Sequence, residues 1–316
     1  KPPQTMPSQT PPTKTMPDVT LSLDDVVQPF HVDALGVNGR VVRLGPILGQ
    51  LVGPHDYPPV VADLLSQVVV LAATLSSVLK FDGVFTLQVQ GDGPVGLVMA
   101  DVTSAGGVRS YARYDADRLA AVDAAGAQGA PVPALLGSGY LAFTVDQGPD
   151  TDRYQGITEL VGATLADCAH DYFRQSEQLE TAILLASGAD PLAAGAIMVQ
   201  RLPDKRGADK DEAEEAWRRA VILMSSLSSG ELLDPAVTTD RLLYRLYHQD
   251  GVRVTEGRPV KQSCRCSRDK VEMTLRSFPQ AEIEDMAEDG KVTVICEFCR
   301  TDYVFGPDQI EALYQD

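Results

Sequence analysis

Four cysteines near the end of the chain constrain its folding more than any other feature. They stand as Cys264-Arg265-Cys266 and, a domain-sized interval later, as Cys296-Glu297-Phe298-Cys299. Two short turns, each presenting a rigid pair of thiols, make the donor set that a tetrahedral metal ion collects, because folding has only to bring two preformed halves together. Residues 261–316 are also too few to hold themselves up by burial, since segments below roughly 70 residues need a staple. A structural zinc ion would supply on the order of 10–16 kcal/mol, which for such a module is folding free energy. One zinc per chain on Cys264, Cys266, Cys296 and Cys299 is therefore the expectation. Two disulfides, or four unrelated free thiols, are the competing readings. No secretory segment is found, which favours metal binding and a reducing, cytoplasmic setting.

The remainder of the chain has material for a larger fold. Its 316 residues suit two domains and 44% of them are hydrophobic, while no uninterrupted apolar run reaches membrane-spanning length. The net charge of −17, from 27 Lys and Arg against 44 Asp and Glu, opposes contact with phosphate backbones. Neither nucleic acid nor membrane is an expected partner.

Residues 1–19 are rich in Pro and Thr without periodicity and read as a disordered leader. Order is expected from about residue 20. Leu21–Val27 and Phe30–Leu44 alternate as strands, and Pro58-Pro59 opens a core helix over Val60–Leu79, with Val61, Leu64, Leu65, Val68, Leu71 and Leu75 at helical spacing. The period then changes to two. Phe85, Leu87 and Val89 share one face, Gly91-Asp92-Gly93-Pro94 turns the chain, and Val95, Leu97 and Met99 resume the alternation, with a further strand over Val108–Tyr114. Ala120–Pro133 reads as a loop, and Gly139–Val145 and Arg153–Leu160 as two strands. Thr164, three residues before Asp167, caps a helix to about Gln178, after which Thr181–Ala186 and Ala194–Gln200 are buried strands. Residues 20–203 thus form an N-terminal α+β domain of antiparallel sheet and helix.

Composition shifts at Leu202. Residues 204–260 are densely charged yet keep a narrow apolar stripe through Ala213, Trp217, Val221 and Met224, ended by the Ser225–Gly230 cluster, and Thr239 caps a second helix carrying Leu242, Leu243, Leu246 and Tyr247. A helical linker of this kind is stable only if its stripe docks, so it should be marginal. Its docking side, with Trp217, Val221 and Met224, is the candidate client surface. The small zinc module, 261–316, follows.

The motifs together are recognisable. Gly39-Arg40-Val41-Val42-Arg43-Leu44-Gly45, Leu79-Lys80-Phe81-Asp82-Gly83 with Gln90-Gly91-Asp92-Gly93-Pro94, the Asp171–Leu179 stretch DYFRQSEQL and the four cysteines stand in one order. From about residue 20 onward the chain resembles the heat-shock protein 33 family of redox-regulated, ATP-independent holdase chaperones. The resemblance implies a substrate-binding α+β domain, a metastable linker and a zinc redox switch, with Cys264, Cys266, Cys296 and Cys299 as the zinc thiolates. Glu180, where many relatives have Pro, and Ala196, where Gly is common, depart from the pattern without touching the switch.

Metal-bound thiolates are the form oxidants attack, so the site is also a set of primed nucleophiles. Oxidation should pair Cys264 with Cys266 and Cys296 with Cys299, remove the donor set, unfold module and linker, and expose apolar surface to unfolding client proteins. The resemblance implies a homodimer in that form. The alternative is a zinc-binding transcriptional or nucleic-acid-binding regulator, for which Arg265, Arg268, Lys270 and Arg276 offer a modest basic patch, against the chain's acidity. No enzyme is expected: His31, His55, His170 and His248 are scattered, Ser138 lacks a full nucleophile-elbow pattern, and the glycines at 91 and 93 lack the Lys and Ser/Thr of a phosphate loop. Cys168 reads as a buried bystander.

Overall fold

The computed structural model describes residues 23–315 apart from 123–126, 128, 149–150, 152, 175–179 and 204–208. The expected leader, the end of the Asp171–Leu179 motif and the start of the linker fall outside the described residues. The fold is α+β, organised around one apolar helix between an antiparallel sheet and a mainly antiparallel one.

In chain order the elements are β1 (Val26–Val32), β2 (Val37–Leu44), α1 (Pro46–Leu51), α2 (Pro59–Ser76), β3 (Val84–Gly91), β4 (Val95–Thr103), β5 (Gly107–Tyr114) and α3 (Ala116–Ala120). There follow β6 (Gly139–Asp146), β7 (Tyr154–Glu159), α4 (Leu165–Tyr172), β8 (Thr181–Ala189) and β9 (Leu192–Arg201). The C-terminal third holds α5 (Lys210–Ser225), α6 (Ser229–Leu233), α7 (Thr239–Tyr247), β10 (Val252–Val254), β11 (Arg258–Pro259), β12 (Lys261–Gln262), α8 (Arg268–Leu275), α9 (Gln280–Asp285), β13 (Val292–Ile295), β14 (Asp302–Phe305) and α10 (Pro307–Leu313). The first sheet runs β10-β1-β2-β9-β8 with β11 also on β1, and the second runs β12-β5-β4-β3-β6-β7.

Helix α2 starts on Pro59, where a missing N–H costs nothing, and packs against strands of both sheets. By length and hydropathy it could cross a membrane, but 78% of it is buried within the fold, as befits a helix apolar all round. Leu64, Leu65, Val68 and Leu71 meet Val42 and Leu44 of the first sheet and Phe85, Leu87 and Val89 of the second in one core.

Strand β2 is buried on both faces. Val42 and Leu44 face α2, while Val37 and Val41 join Phe30, Val32, Ile197 and Val199 in a second core on the far side. That side is covered by α5, α6 and α7 through Met224, Leu232, Leu243, Leu246 and Tyr247, with Trp217 and Val221 packed at the margin. The Tyr247 ring stacks on Phe30 with centroids 5.7 Å apart, and its hydroxyl donates to the Ala220 carbonyl at 3.2 Å. Gly39 stands opposite Phe30 in the β1–β2 register, and a Cβ there would lie 2.0 Å from the Phe30 ring, so only glycine admits the ring.

Several expectations are corrected. In β4 the register slips between Val95 and Leu97, a bulge that inverts the phase beyond it. Val98, Ala100 and Val102 enter the core instead of Leu97 and Met99, and Asp101 takes the outer face. The predicted loop to Pro133 closes as a helical turn, Val132–Leu136. The helix after the Thr164–Asp167 capping box is regular from Leu165 to Tyr172, and its expected end at about Gln178 lies outside the described residues. Ser228 and Thr238, not Thr239, cap α6 and α7. The described part of the 204–260 stretch is helical only as far as Tyr247; β10 and β11 then join the first sheet, and β12, just past the expected boundary at residue 260, joins the second, so the chain from 252 to 262 stitches the two sheets together.

Arg43, only 3% exposed, points from β2 into the helical cover. Its Nε donates to the Leu232 carbonyl at 2.8 Å and its terminal nitrogens to the carbonyls of Asp234 and Val237, satisfying the C-terminal end of α6. Arg43→Met should weaken this cover by roughly 2–4 kcal/mol, since three charge-assisted bonds to backbone carbonyls are lost, although the Asp234 carbonyl keeps the Val237 N–H at 3.1 Å. Amide hydrogen exchange should then quicken in 229–247 while β3 and β6 keep their protection; unchanged exchange in α6 and α7 would contradict the assignment.

Candidate metal centre

The first cysteine turn lies just past β12 and ahead of α8, whose cap is Ser267, accepting the Lys270 N–H at 3.3 Å. The second turn joins β13 to β14. It is closed by the Cys296 N–H to the Thr301 carbonyl at 3.0 Å and the Arg300 N–H to the Cys296 carbonyl at 2.9 Å, with Arg300 in the left-handed region at φ 58°. The hairpin β13–β14 and helices α8, α9 and α10 enclose a small core of Leu275, Ile283, Val292, Phe305, Ile310 and Leu313.

These two turns bring all four sulfurs within 4.8 Å of one another. Cys264 Sγ lies 3.7 Å from Cys296 Sγ, and Cys266 Sγ 3.4 Å from Cys299 Sγ. Four ligands at a metal–sulfur distance of about 2.3 Å stand about 3.8 Å apart along the tetrahedron's edges, so the donor set fits a tetrahedral metal ion with little adjustment. Soft thiolates in this geometry suit zinc or iron rather than an oxygen-seeking cation.

Hydrogen bonds tune the sulfurs. Burial pushes the thiols of Cys264, Cys266 and Cys296 up. At Cys299 burial pushes the same way, but hydrogen bonds from the Thr301 hydroxyl and N–H, together with those from the neighbouring thiols of Cys266 and Cys264, bring that thiol down to about 7. The Tyr303 hydroxyl donates to Cys266 Sγ at 3.0 Å, a bond that favours the thiolate.

Three of the four residues of the basic patch expected near the site are engaged within the protein. Arg265 pairs with Asp101, Arg268 bonds Glu272 at 3.2 Å with its guanidinium 4.3 Å from the Phe305 ring centre, and Lys270 donates to the Arg265 carbonyl at 2.7 Å. Cys168 is fully buried in α4, its Sγ 3.4 Å from the Val161 carbonyl, and burial pushes its thiol up to about 11. It is remote in sequence from the cluster and chemically quiet. Trp217, Val221 and Met224 lie on α5 against the first sheet. Sequence patterning did not point to His55, Asp101, Arg109 or Tyr111, which touch the cysteine turns, His55 from the turn ahead of α2 and the other three from the second sheet; each is an ordinary polar residue of a strand or turn with no local motif.

The Hsp33 protein family model matches residues 25–306. A 33 kDa chaperonin of Caulobacter vibrioides is 43% identical over 292 residues, covering 90% of this chain and 96% of that protein. A second 33 kDa chaperonin, from Ectopseudomonas mendocina, is 36% identical over 294 residues, covering 92% and 96%. In fold, the chain is similar to the crystal structure of the 33 kDa chaperonin, a heat shock protein 33 homologue, of Thermotoga maritima, with a TM-score of 0.75 at 24% identity over 92% of this chain and 97% of that one. The chain belongs to the Hsp33 family of chaperones.

Proposed function

We propose that the protein is a redox-regulated, ATP-independent holdase of the cytoplasm whose reduced, zinc-bound form is inactive. The observation that carries this reading is the meeting of four sulfurs within 4.8 Å in a module whose own core is only a handful of side chains. Zinc, when bound to Cys264, Cys266, Cys296 and Cys299, keeps the sulfurs as thiolates and ties the two turns together.

Hydrogen peroxide or hypochlorous acid takes two electrons from one thiolate to give a sulfenic acid, and the neighbouring thiol displaces water to form a disulfide. Cys264 pairs with Cys266, and Cys296 with Cys299. Disulfide sulfurs are poor metal donors, so the tie between the turns is lost and the small core cannot hold the module folded. Helices α5 and α7, docked on the first sheet through Met224, Leu243 and Tyr247, then lose the chain that anchors them at β10–β12. Their release uncovers Phe30, Val41, Ile197 and Val199 on the sheet and the Trp217, Val221 and Met224 side of α5, a contiguous apolar surface for unfolding clients. The active form is a homodimer on this reading. The engagement of Arg265, Arg268 and Lys270 within the protein weighs against the nucleic-acid alternative.

Three measurements check the reading. Reduced protein should contain one zinc per chain and show four thiols reactive without denaturant, with the fifth, Cys168, titrating only on unfolding; mild peroxide should abolish the four and the zinc together. Zinc retained beside four free thiols after oxidant would overturn the switch. Stoichiometric protein should suppress aggregation of a thermally unfolding client only after oxidation, and chelation of zinc from reduced protein should erase exchange protection across 268–313 while leaving β3–β6 protected. Equal aggregation suppression by reduced and oxidised protein would refute the regulation.

A further inference from the structure

Side chains enclosed within the two cysteine turns lie against the second sheet. Strand β12 pairs in parallel with β5, Lys261 with Gly107 and Gln262 with Val108, and the Ser263 N–H donates to the Val108 carbonyl at 2.8 Å. The first turn is thereby held at the edge of β5, beside the outer face created by the phase change in β4. On that face Asp101 and Arg109 are cross-strand partners, and the Arg109 Nε donates to the Asp101 carboxylate at 2.7 Å.

Each turn contributes one side chain to this patch. Arg265, between Cys264 and Cys266, donates to the same Asp101 oxygen, in a carboxylate only 3% exposed that also accepts from the Thr86 hydroxyl at 2.6 Å. Phe298, between Cys296 and Cys299, lies under the Arg109 guanidinium, 3.8 Å from its ring centre, and 6.0 Å from the Tyr111 ring. The His55 Nε2 lies 3.2 Å from the Phe298 carbonyl. Arg109 thus touches both turns, one through Asp101 and the other through its own face.

We propose that Asp101, Arg109 and Tyr111 form a docking platform that reads the state of the sulfurs through Arg265 and Phe298, so that the module sits on the second sheet only while the two cysteine turns hold a fixed mutual position. This inference rests on the switch proposed above and names the contact through which it acts. The converged sulfurs, cross-paired at 3.7 and 3.4 Å, fix one turn against the other. Disulfides within each turn contract each pair to about 2.05 Å and leave nothing across the turns. Arg265 and Phe298 can then no longer occupy the platform together. Loss of Arg265 leaves Asp101 with a single guanidinium partner, and loss of Phe298 exposes the faces of Arg109 and Tyr111. Strand β12, two residues from Cys264, is freed with them.

The test uses the reduced, zinc-loaded full chain with Arg265→Gln, Phe298→Ala, their double variant and, from the platform side, Asp101→Asn. Rates of cleavage within 252–263 by a nonspecific protease, zinc content and free thiols are measured together. Each single variant should be cleaved about tenfold faster than the parent, with one zinc and four reactive thiols retained, and the double variant should add less than twofold, because contacts sharing one network are not additive. Cleavage within twofold of the parent for both module-side variants would overturn the platform. So would acceleration seen only together with zinc loss, since the residues would then support the metal site itself. Asp101→Asn, which leaves the cysteine turns unaltered in sequence, should reproduce the Arg265→Gln rate; parent-like cleavage there also counts against the proposal. Oxidised parent that fails to suppress client aggregation would instead refute the switch, independently of how the variants are cleaved.

Discussion

A core of Leu275, Ile283, Val292, Phe305, Ile310 and Leu313 is what the C-terminal module can bury, and its stability has to come from elsewhere. At roughly 1.5–3 kcal/mol for each buried side chain, these residues fall short of the conformational entropy of ordering some fifty residues, which costs on the order of 1–2 kcal/mol apiece. On the reading proposed above, a metal ion held by the four sulfurs that meet between its two turns supplies the missing constraint. Everything upstream that depends on the module being folded therefore depends on those sulfurs remaining available as donors.

Burial is graded along the chain in the same sense. Helix α2 and the inner faces of the two sheets form a continuous core that needs nothing from the last hundred residues except the edge contact at Val260. The second core is different, because half of it is sheet and half is the amphipathic cover of α5–α7. The sheet side stays folded through its other face, whereas the helices have no alternative partner among the described residues. A cover of this kind can leave without collapsing what it covered, which is the property a releasable client surface requires.

Much of this was legible in the sequence wherever one physical signal acted alone. The helical spacing of Val61 to Leu75, the alternation of Phe85, Leu87 and Val89, the hairpin at Gly91–Pro94 and the Thr164–Asp167 capping box all appear where local pattern places them. The misses occur where tertiary structure overrode a local pattern or where no pattern existed. Leu97 and Met99 alternate correctly with Val95, but the bulge between Val95 and Leu97 turns them outward. Strands β10, β11 and β12 are two or three residues long and largely exposed, so neither period nor hydrophobicity marks them. The cysteine turns announced a metal site, yet the pairing of Arg265 with a residue 164 positions away leaves no trace in either local sequence.

The same bulge explains why the module docks through a charge. By inverting the phase of β4 it puts Asp101 on the outer face opposite Arg109, where a regular strand would have placed Ala100 or Val102. An apolar patch there would bind a rearranged module almost as well as a native one, because hydrophobic contact is non-directional. A desolvated carboxylate is less forgiving. Its Coulombic gain roughly offsets its desolvation when the guanidinium geometry is right, and it becomes a net cost when that geometry is lost. Such a contact contributes only modestly to the stability of the docked state, on the scale of the tenfold change expected for its loss, and the partial exposure of Arg265 at 39% screens it. What it supplies is discrimination: the docked state is favourable only for the arrangement of turns that four converged sulfurs impose, and it ceases to be favourable when they part.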